Sequence, residues 1–134
     1  MNSARPGNIP ADRIPAPLTV AASLAAVEGA VFVLYGVMEL ASVSADRMAV
    51  GLTTGAFFVG YGAGLALCAW ALYRLGGWAR SPVVLAQLLQ LGVAWSFRGG
   101  DTLVVAVFLA VVSVVVIAGI LHPASLAALA DDED

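Results

Sequence analysis

The chain has 134 residues, of which 61% are hydrophobic and only 11% are charged. Soluble domains carry about 25% charged residues, so this composition excludes an ordinary soluble domain and indicates a membrane protein. The formal charge of −3 comes mainly from the acidic residues 131–134, and the single cysteine excludes a disulfide framework.

Two long apolar segments follow a polar start. Residues 1–17 contain four prolines and two arginines without apolar periodicity, which predicts a disordered leader. The first predicted span covers residues 18–40 and the second covers residues 50–73, with a polar turn between them. Each exceeds the ~20 residues that a transmembrane helix needs.

The third apolar segment is shorter and is interrupted by Gln87 and Gln90. Taken alone, it would also fit a re-entrant or interfacial segment. Ser81 as N-cap and Pro82 at the first helical position extend it backwards, because serine caps helices and proline lacks only an N–H that would be unpaired there. We therefore predict a third span over residues 81–97.

A fourth span is predicted over residues 102–121, with Asp101 as its N-cap. His122 and the proline after it are expected to end this helix, since proline does not continue a helix already formed. Residues 123–134 are predicted to form a solvated acidic tail in the cytoplasm.

The sequence thus predicts an all-α integral membrane protein, a four-helix bundle over residues 18–122. Orientation follows from the arginines: four lie in the leader and the loop after span two, and two lie in the other loops. Since basic residues are enriched on the cytoplasmic side, both termini are expected there, at the inner (plasma) membrane of a bacterium.

Spans one and two share an eight-residue motif. Residues 29–36 read GAVFVLYG and residues 55–62 read GAFFVGYG, with six identical positions. Because consecutive spans cross in opposite directions, this would be an inverted repeat, although a chain so rich in Gly, Ala and Val can also produce the match by coincidence. Small residues let helix backbones approach in lipid, so we expect glycines of spans one and two to serve helix packing. These glycines are Gly29, Gly36, Gly55, Gly60, Gly62 and Gly64.

Glu28 lies about ten residues inside span one, where a carboxylate costs roughly 2.5–3.5 kcal/mol. Polar groups in hydrocarbon need partners, so its helix face should meet protein rather than lipid. Protonated, Glu28 would donate a hydrogen bond to Gln90 or Tyr61. Glu39, near the outer end, could instead pair with Arg47 or Arg98. The candidate intramembrane polar site consists of Glu28, Tyr35, Tyr61, Gln87, Gln90 and Ser113.

Two functional interpretations compete. In the first, the protein is a structural or accessory membrane subunit that packs against itself or another membrane protein, and Glu28 is a neutral core residue. In the second, it is a small transporter that binds a proton or cation at Glu28. Small multidrug resistance transporters also have four short helices with one glutamate in the first, but their other motif residues are not matched here. A lipid- or quinone-binding protein is a third possibility.

Enzymatic chemistry is not expected. No nucleophile–base pair, metal-ligand spacing or phosphate loop is visible, so no catalytic residue, metal or cofactor is assigned. The only histidine, His122, sits at a predicted helix end, where capping or solvation is its ordinary role. The arginines are spread over both sides of the membrane, which leaves no basic patch for nucleic acid.

Four short motifs stand out in the C-terminal half: residues 77–82 (GWARSP), 86–91 (AQLLQL), 94–96 (AWS) and 123–125 (PAS). They resemble those of small four-helix integral membrane proteins of actinobacteria, in which a Trp-Ala-Arg-x-Pro loop leads into a Gln-Leu-Leu helix. The resemblance implies a four-helix topology and an actinobacterial source, and it implies no activity. Glu28 lies outside the matching region.

Overall fold

The computed structural model describes residues 14–133 and consists of five helices, with no strand among these residues. The prediction of an all-α protein is confirmed. Short 3₁₀ turns precede the second, third and fourth helices. The helices are α1 (Ala16–Ala41), α2 (Met48–Tyr73), α3 (Arg80–Ser96), α4 (Leu103–Leu121) and α5 (Pro123–Glu133).

Three segments are long and apolar enough to cross a membrane: Ala16–Ala41, Ala45–Tyr73 and Gly100–Leu121. These correspond to predicted spans one, two and four. Helix α3 has 17 residues, which is about 26 Å at 1.5 Å per residue, slightly less than the ~30 Å hydrocarbon core. Length and composition alone therefore do not establish that α3 crosses a membrane.

The helix starts differ in detail from the sequence prediction. Ala79, at the end of a 3₁₀ turn, is the N-cap of α3, so Ser81 lies inside the first turn and does not cap it. Thr102, rather than Asp101, is the N-cap of α4. Both predictions were wrong because the 3₁₀ turns carry the chain into each helix without a side-chain cap, a geometry that capping preferences do not reveal.

The region predicted as an acidic tail is helical from Pro123 to Glu133. As predicted, α4 ends before His122, whose Nδ1 accepts a hydrogen bond from the Ala124 backbone N–H at 3.1 Å and so helps to start α5. Ser125 and Leu129 are fully buried, so this helix packs on the rest of the protein.

The leader was predicted over residues 1–17. Residues 1–13 lie outside the described residues, and Ala16 and Pro17 already belong to α1.

Helices α1 to α4 run alternately up and down. The closest packing is between α1 and α2; α4 packs on both α1 and α3, and α2 touches α3 less extensively. Helices α1 and α3 consequently lie on opposite corners of the arrangement. Helix α5 lies at one end, against α1, α4 and the turn that precedes α3, and we call this the α5 end.

The apolar core is concentrated in the half of the molecule nearest the α5 end. Its largest fully buried apolar side chains include Leu18, Leu72, Val83, Val116 and Ile120. In the half near the α1–α2 turn, called the opposite half below, the buried residues are mainly small ones. The four helices are thus tightly joined at one end and less so at the other.

Candidate intramembrane site

The two copies of the repeated motif pack directly against each other. A methyl group placed on Gly29 would lie 2.7 Å from the carbonyl oxygen of Gly62, and one placed on Gly36 would lie 2.8 Å from that of Gly55. The first glycine of each copy therefore meets the last glycine of the other copy. This reciprocal contact relates α1 and α2 by an approximate two-fold axis between them.

The aromatic residues of the motif follow the same axis. Phe32 and Phe58, which occupy equivalent positions, stack with ring centroids 5.7 Å apart. Phe32 meets Tyr61 edge to face at 5.1 Å, and the equivalent pair, Tyr35 and Phe58, meets edge to face at 5.0 Å. Such geometries are favourable for aromatic rings beyond their buried area. The repeat is thus an interlocked pair of packing surfaces.

Glu28 lies immediately before the first copy and reaches across to α3. Its Oε2 accepts hydrogen bonds from Gln87 Nε2 at 3.0 Å and from Gln90 Nε2 at 2.9 Å. Both glutamines are buried although they belong to the most polar of the long helices. The spacing of three residues explains this, because side chains three apart point to one face of a helix. One carboxylate oxygen thereby connects two helices that otherwise make little contact.

Tyr61 completes this arrangement from α2. Its hydroxyl donates to the backbone carbonyl of Ala86 at 3.4 Å and accepts from Gln90 Nε2 at 3.5 Å. We call Glu28, Tyr61, Gln87 and Gln90 the Glu28 cluster. The structure places the two amides as donors to Glu28, whereas the sequence interpretation had Glu28 donating to Gln90 or Tyr61.

Several polar atoms near this level have no hydrogen-bond partner. They are Glu28 Oε1, Gln87 Oε1 and Ser113 Oγ, and all three are buried. A methyl group placed on Gly119 would lie 2.6 Å from the Pro17 carbonyl oxygen, which fixes the antiparallel register of α1 and α4. That register sets Ser113 about one turn from Glu28, toward the α5 end.

Tyr35 does not join the Glu28 cluster. Its side chain is 51% exposed in the opposite half, where it touches Phe58. Its motif equivalent, Tyr61, is covered by α3 instead. Sharing a stripe with Glu28 on α1 was therefore insufficient to bring Tyr35 to the site.

The charged residues of the opposite half lie at its end. Arg47 Nη2 is 3.5 Å from Glu39 Oε1, with the arginine side chain largely exposed. Arg98 instead donates to the backbone carbonyl of Trp95 at 2.7 Å and lies over the Trp95 ring at 4.1 Å. Of the two partners proposed for Glu39, the structure brings Arg47 to it.

The predicted packing glycines divide into two sets. Gly29, Gly36, Gly55 and Gly62 are buried at the α1–α2 contact. Gly60 and Gly64 are exposed, with no atom within 4 Å of a methyl group placed on either. Their expected packing role is not found inside this chain, because the row they form points away from α1.

Sequence reasoning missed one polar contact, a hydrogen bond between the hydroxyl groups of Ser23 and Tyr73. It joins the start of α1 to the end of α2, on the α5 side of Glu28. The signal was available, because antiparallel neighbouring spans place an early residue of one beside a late residue of the next.

Chemically, the Glu28 cluster is a set of hydrogen-bonding groups around one carboxyl. Among residues 14–133 no group of three or more His, Cys, Asp or Glu side chains is placed to hold a metal ion. No protein-family model matches the chain, and neither a curated protein nor a solved structure is significantly similar to it.

Proposed function

We propose that this protein is a small four-span membrane subunit with a structural or accessory role, which packs against a second copy of itself or against another membrane protein. The observation that carries this proposal is the exposed row of small residues Ala56, Gly60 and Gly64 on α2. These positions offer a flat backbone surface of the kind through which helices associate in lipid. The buried glycines show that the chain already uses such contacts internally.

The division of α3 into buried polar and exposed apolar side chains supports a fourth span. Its two glutamines point inward to Glu28, while Leu85, Leu88 and Leu89 are exposed. A helix that hides its polar groups and exposes leucine is suited to lipid contact. A length of about 26 Å is accommodated by slight local thinning of the bilayer.

The positions of the arginines support an orientation with the α5 end in the cytoplasm of a bacterium. Arg74 and Arg80 lie at this end, and Arg74 packs over the Trp70 ring at 5.0 Å, an arrangement suited to a membrane interface. Arg47 and Arg98 mark the other end. Both termini would then be cytoplasmic, as the arginine distribution in the sequence suggests.

In this role the Glu28 cluster fastens α3 to α1. Hydrogen bonds between membrane helices contribute on average ~0.6 kcal/mol each, so the two amide bonds would add about 1 kcal/mol to an otherwise sparse contact.

A second function, transport of a proton or cation at Glu28, is favoured by a different observation. Glu28 Oε1 is buried without a partner, so the carboxyl has capacity left for a ligand.

Association can be tested with matched glycine variants. Gly60→Leu fills the exposed row, whereas Gly92→Leu adds the same side chain at an exposed glycine of α3 that also has no atom within 4 Å. Purification of each full-length variant from its native membrane, with cross-linking before solubilisation, reports both self-association and partner binding. We expect Gly60→Leu to abolish the cross-linked species and Gly92→Leu to retain it. Wild-type protein that remains monomeric and without a stoichiometric partner would refute the accessory role.

A further inference from the structure

The hydrogen-bond pattern around Glu28 is incomplete in a specific way. Gln87 donates to Glu28 Oε2, and the second oxygens of both side chains, Glu28 Oε1 and Gln87 Oε1, are buried without a donor. Buried acceptors without donors are costly. Two acceptors cannot satisfy each other, so each of these oxygens would be stabilised by a donor or a positive charge.

A proton on Glu28 Oε1 supplies the missing donor. A protonated carboxyl donates one O–H bond and keeps its remaining acceptor sites, so a carboxyl and a carboxamide that share one N–H···O bond can share an O–H···O bond as well. A metal ion would need several oxygen ligands. Since Oε1 is closed to solvent, the site suits the smallest cation.

The charged and titratable groups of the neighbouring helices leave Glu28 without a counter-ion. The arginines of the described residues lie at or beyond helix ends, far from its level. Helices α3 and α4 contribute only the neutral Gln87, Gln90 and Ser113 to this region. From α2, Tyr61 shares the Gln90 amide with Glu28. Cys68 and Tyr73 of that helix lie about one turn or more toward the α5 end, as the antiparallel register requires.

Three buried or half-buried hydroxyl groups lie on the α5 side of the Glu28 cluster. Ser113 lies about one turn away toward the α5 end, and the hydrogen-bonded pair Ser23 and Tyr73 lies at about the same level as Ser113. On the other side of the cluster, the rings of Phe32 and Phe58 stack on each other. The α5 side thus offers hydroxyl groups as proton carriers next to the cluster, whereas the stacked rings of Phe32 and Phe58 offer none.

We infer that Glu28 and Gln87 form a binding site for one exchangeable proton, which enters from the α5 end past Ser23, Tyr73 and Ser113. On loading, a hydronium ion at that end gives up its proton and the carboxylate gains it at Oε1. Neutralised in this way, Glu28 keeps both amide bonds and gains a donor for Gln87. This deepens the second function proposed above, transport of a proton or cation at Glu28, and rests on the same partnerless oxygen. The structural role requires only that the cluster holds α3 to α1.

Dicyclohexylcarbodiimide tests the site, because this hydrophobic reagent modifies protonated carboxyl groups in apolar surroundings. The full-length protein in liposomes is treated over a range of pH and the modified residue is identified by mass spectrometry. We expect modification of Glu28 that declines with rising pH, none in Glu28→Gln, and none at Glu39, whose carboxylate faces Arg47. Absence of Glu28 modification at mildly acidic pH, or its suppression by sodium ions at constant pH, would overturn the assignment to a proton.

Infrared difference spectra give an independent readout of the bound proton. The C=O band of a protonated carboxyl should be present in wild type and missing in Glu28→Gln. In Gln87→Leu it should move to higher frequency, since the hydrogen-bond partner is lost. A wild-type spectrum without that band at mildly acidic pH would contradict the inference, whatever the outcome of the association experiment.

The direction of entry is tested by one-sided pH jumps on oriented liposomes. Tyr73→Phe and Ser113→Ala should slow the decay of the protonated-carboxyl band several-fold when pH is raised at the α5 end. Tyr35→Phe and Ser96→Ala are matched controls in the opposite half and should leave the rate unchanged. Equal rates in all variants, or faster decay when pH is raised at the other end, would refute the proposed route.

Discussion

The two halves of the α1–α2 pair contain the same packing motif in different surroundings. Near the α5 end, Gly29 meets Gly62 beside the buried apolar core; near the α1–α2 turn, Gly36 meets Gly55 away from that core, with Val59 and Leu40 as their neighbours. Tyr61 is covered in the first half, and its equivalent, Tyr35, is 51% exposed in the second. The backbone contact is therefore the same, and only the covering by other helices differs.

This difference separates two tasks that a single helix pair performs. Close approach of α1 and α2 requires the glycines and rings that both halves possess. A carboxylate is not required for it, because the position that matches Glu28 in the second copy is Thr54. Glu28 therefore serves the contact with α3, which exists in only one half.

The largest expected effects come from the glycines. A methyl group on Gly29 would lie 2.7 Å from the Gly62 carbonyl oxygen, and one on Gly36 would lie 2.7 Å from the Val59 backbone nitrogen. Gly29→Ala and Gly36→Ala should therefore each lower the free energy of unfolding by about 1–3 kcal/mol, because the helices must separate. Unfolding by SDS titration from mild detergent micelles measures the change.

Gly60→Ala is the matched control, since nothing lies within 4 Å of a methyl group there. It should leave stability unchanged or raise it by up to ~1 kcal/mol through helix propensity. A neutral Gly36→Ala beside a damaging Gly29→Ala would show that the motif matters only where α3 and α4 cover it.

Much of the fold could be predicted from composition and periodicity alone. Helices α1, α2 and α4 begin and end within a few residues of the predicted spans, because long apolar segments leave no other secondary structure in lipid. Helix α5 was not predicted, since its acidic residues suggested a solvated end. Its attachment depends on the burial of Ser125 and Leu129, a tertiary contact that no local pattern specifies.

The candidate site was predictable where depth determines contact. Glu28, Tyr61 and Gln90 were predicted at similar depths in different helices, and the structure brings them together. Tyr35 shows the limit of this reasoning, because residues on the same stripe of a helix can be covered by different neighbouring helices. The exposure of Gly60 likewise depends on the rotation of α2 about its axis, which small-residue spacing does not determine.

The second comparison is between Glu28 and Thr54. Glu28→Ala removes the acceptor of two interhelical amide bonds, and at ~0.6 kcal/mol or more for each bond the loss should be about 1–2 kcal/mol. The change should appear locally, as faster amide hydrogen exchange in α3. Thr54→Ala should cost less than ~0.5 kcal/mol, since it lies outside the cluster. Unchanged exchange in α3 of Glu28→Ala would show that the cluster does not hold this helix.

The smallest expected effect distinguishes the two tyrosines. Tyr61→Phe removes hydroxyl contacts of 3.4 Å and 3.5 Å, long enough that the loss in unfolding free energy should stay below the ~0.6 kcal/mol average for such bonds. Tyr35→Phe should have no effect, because its ring contact with Phe58 is retained. The difference should shrink in a Gln90→Leu background, since the Tyr61 hydroxyl then loses its link to Glu28 and keeps only its bond to the Ala86 carbonyl. Both halves share the ring contacts of the motif, and only Tyr61 belongs to the Glu28 cluster. Equal losses in the two tyrosine variants would therefore mean that the hydroxyl groups contribute through the motif and not through the Glu28 cluster.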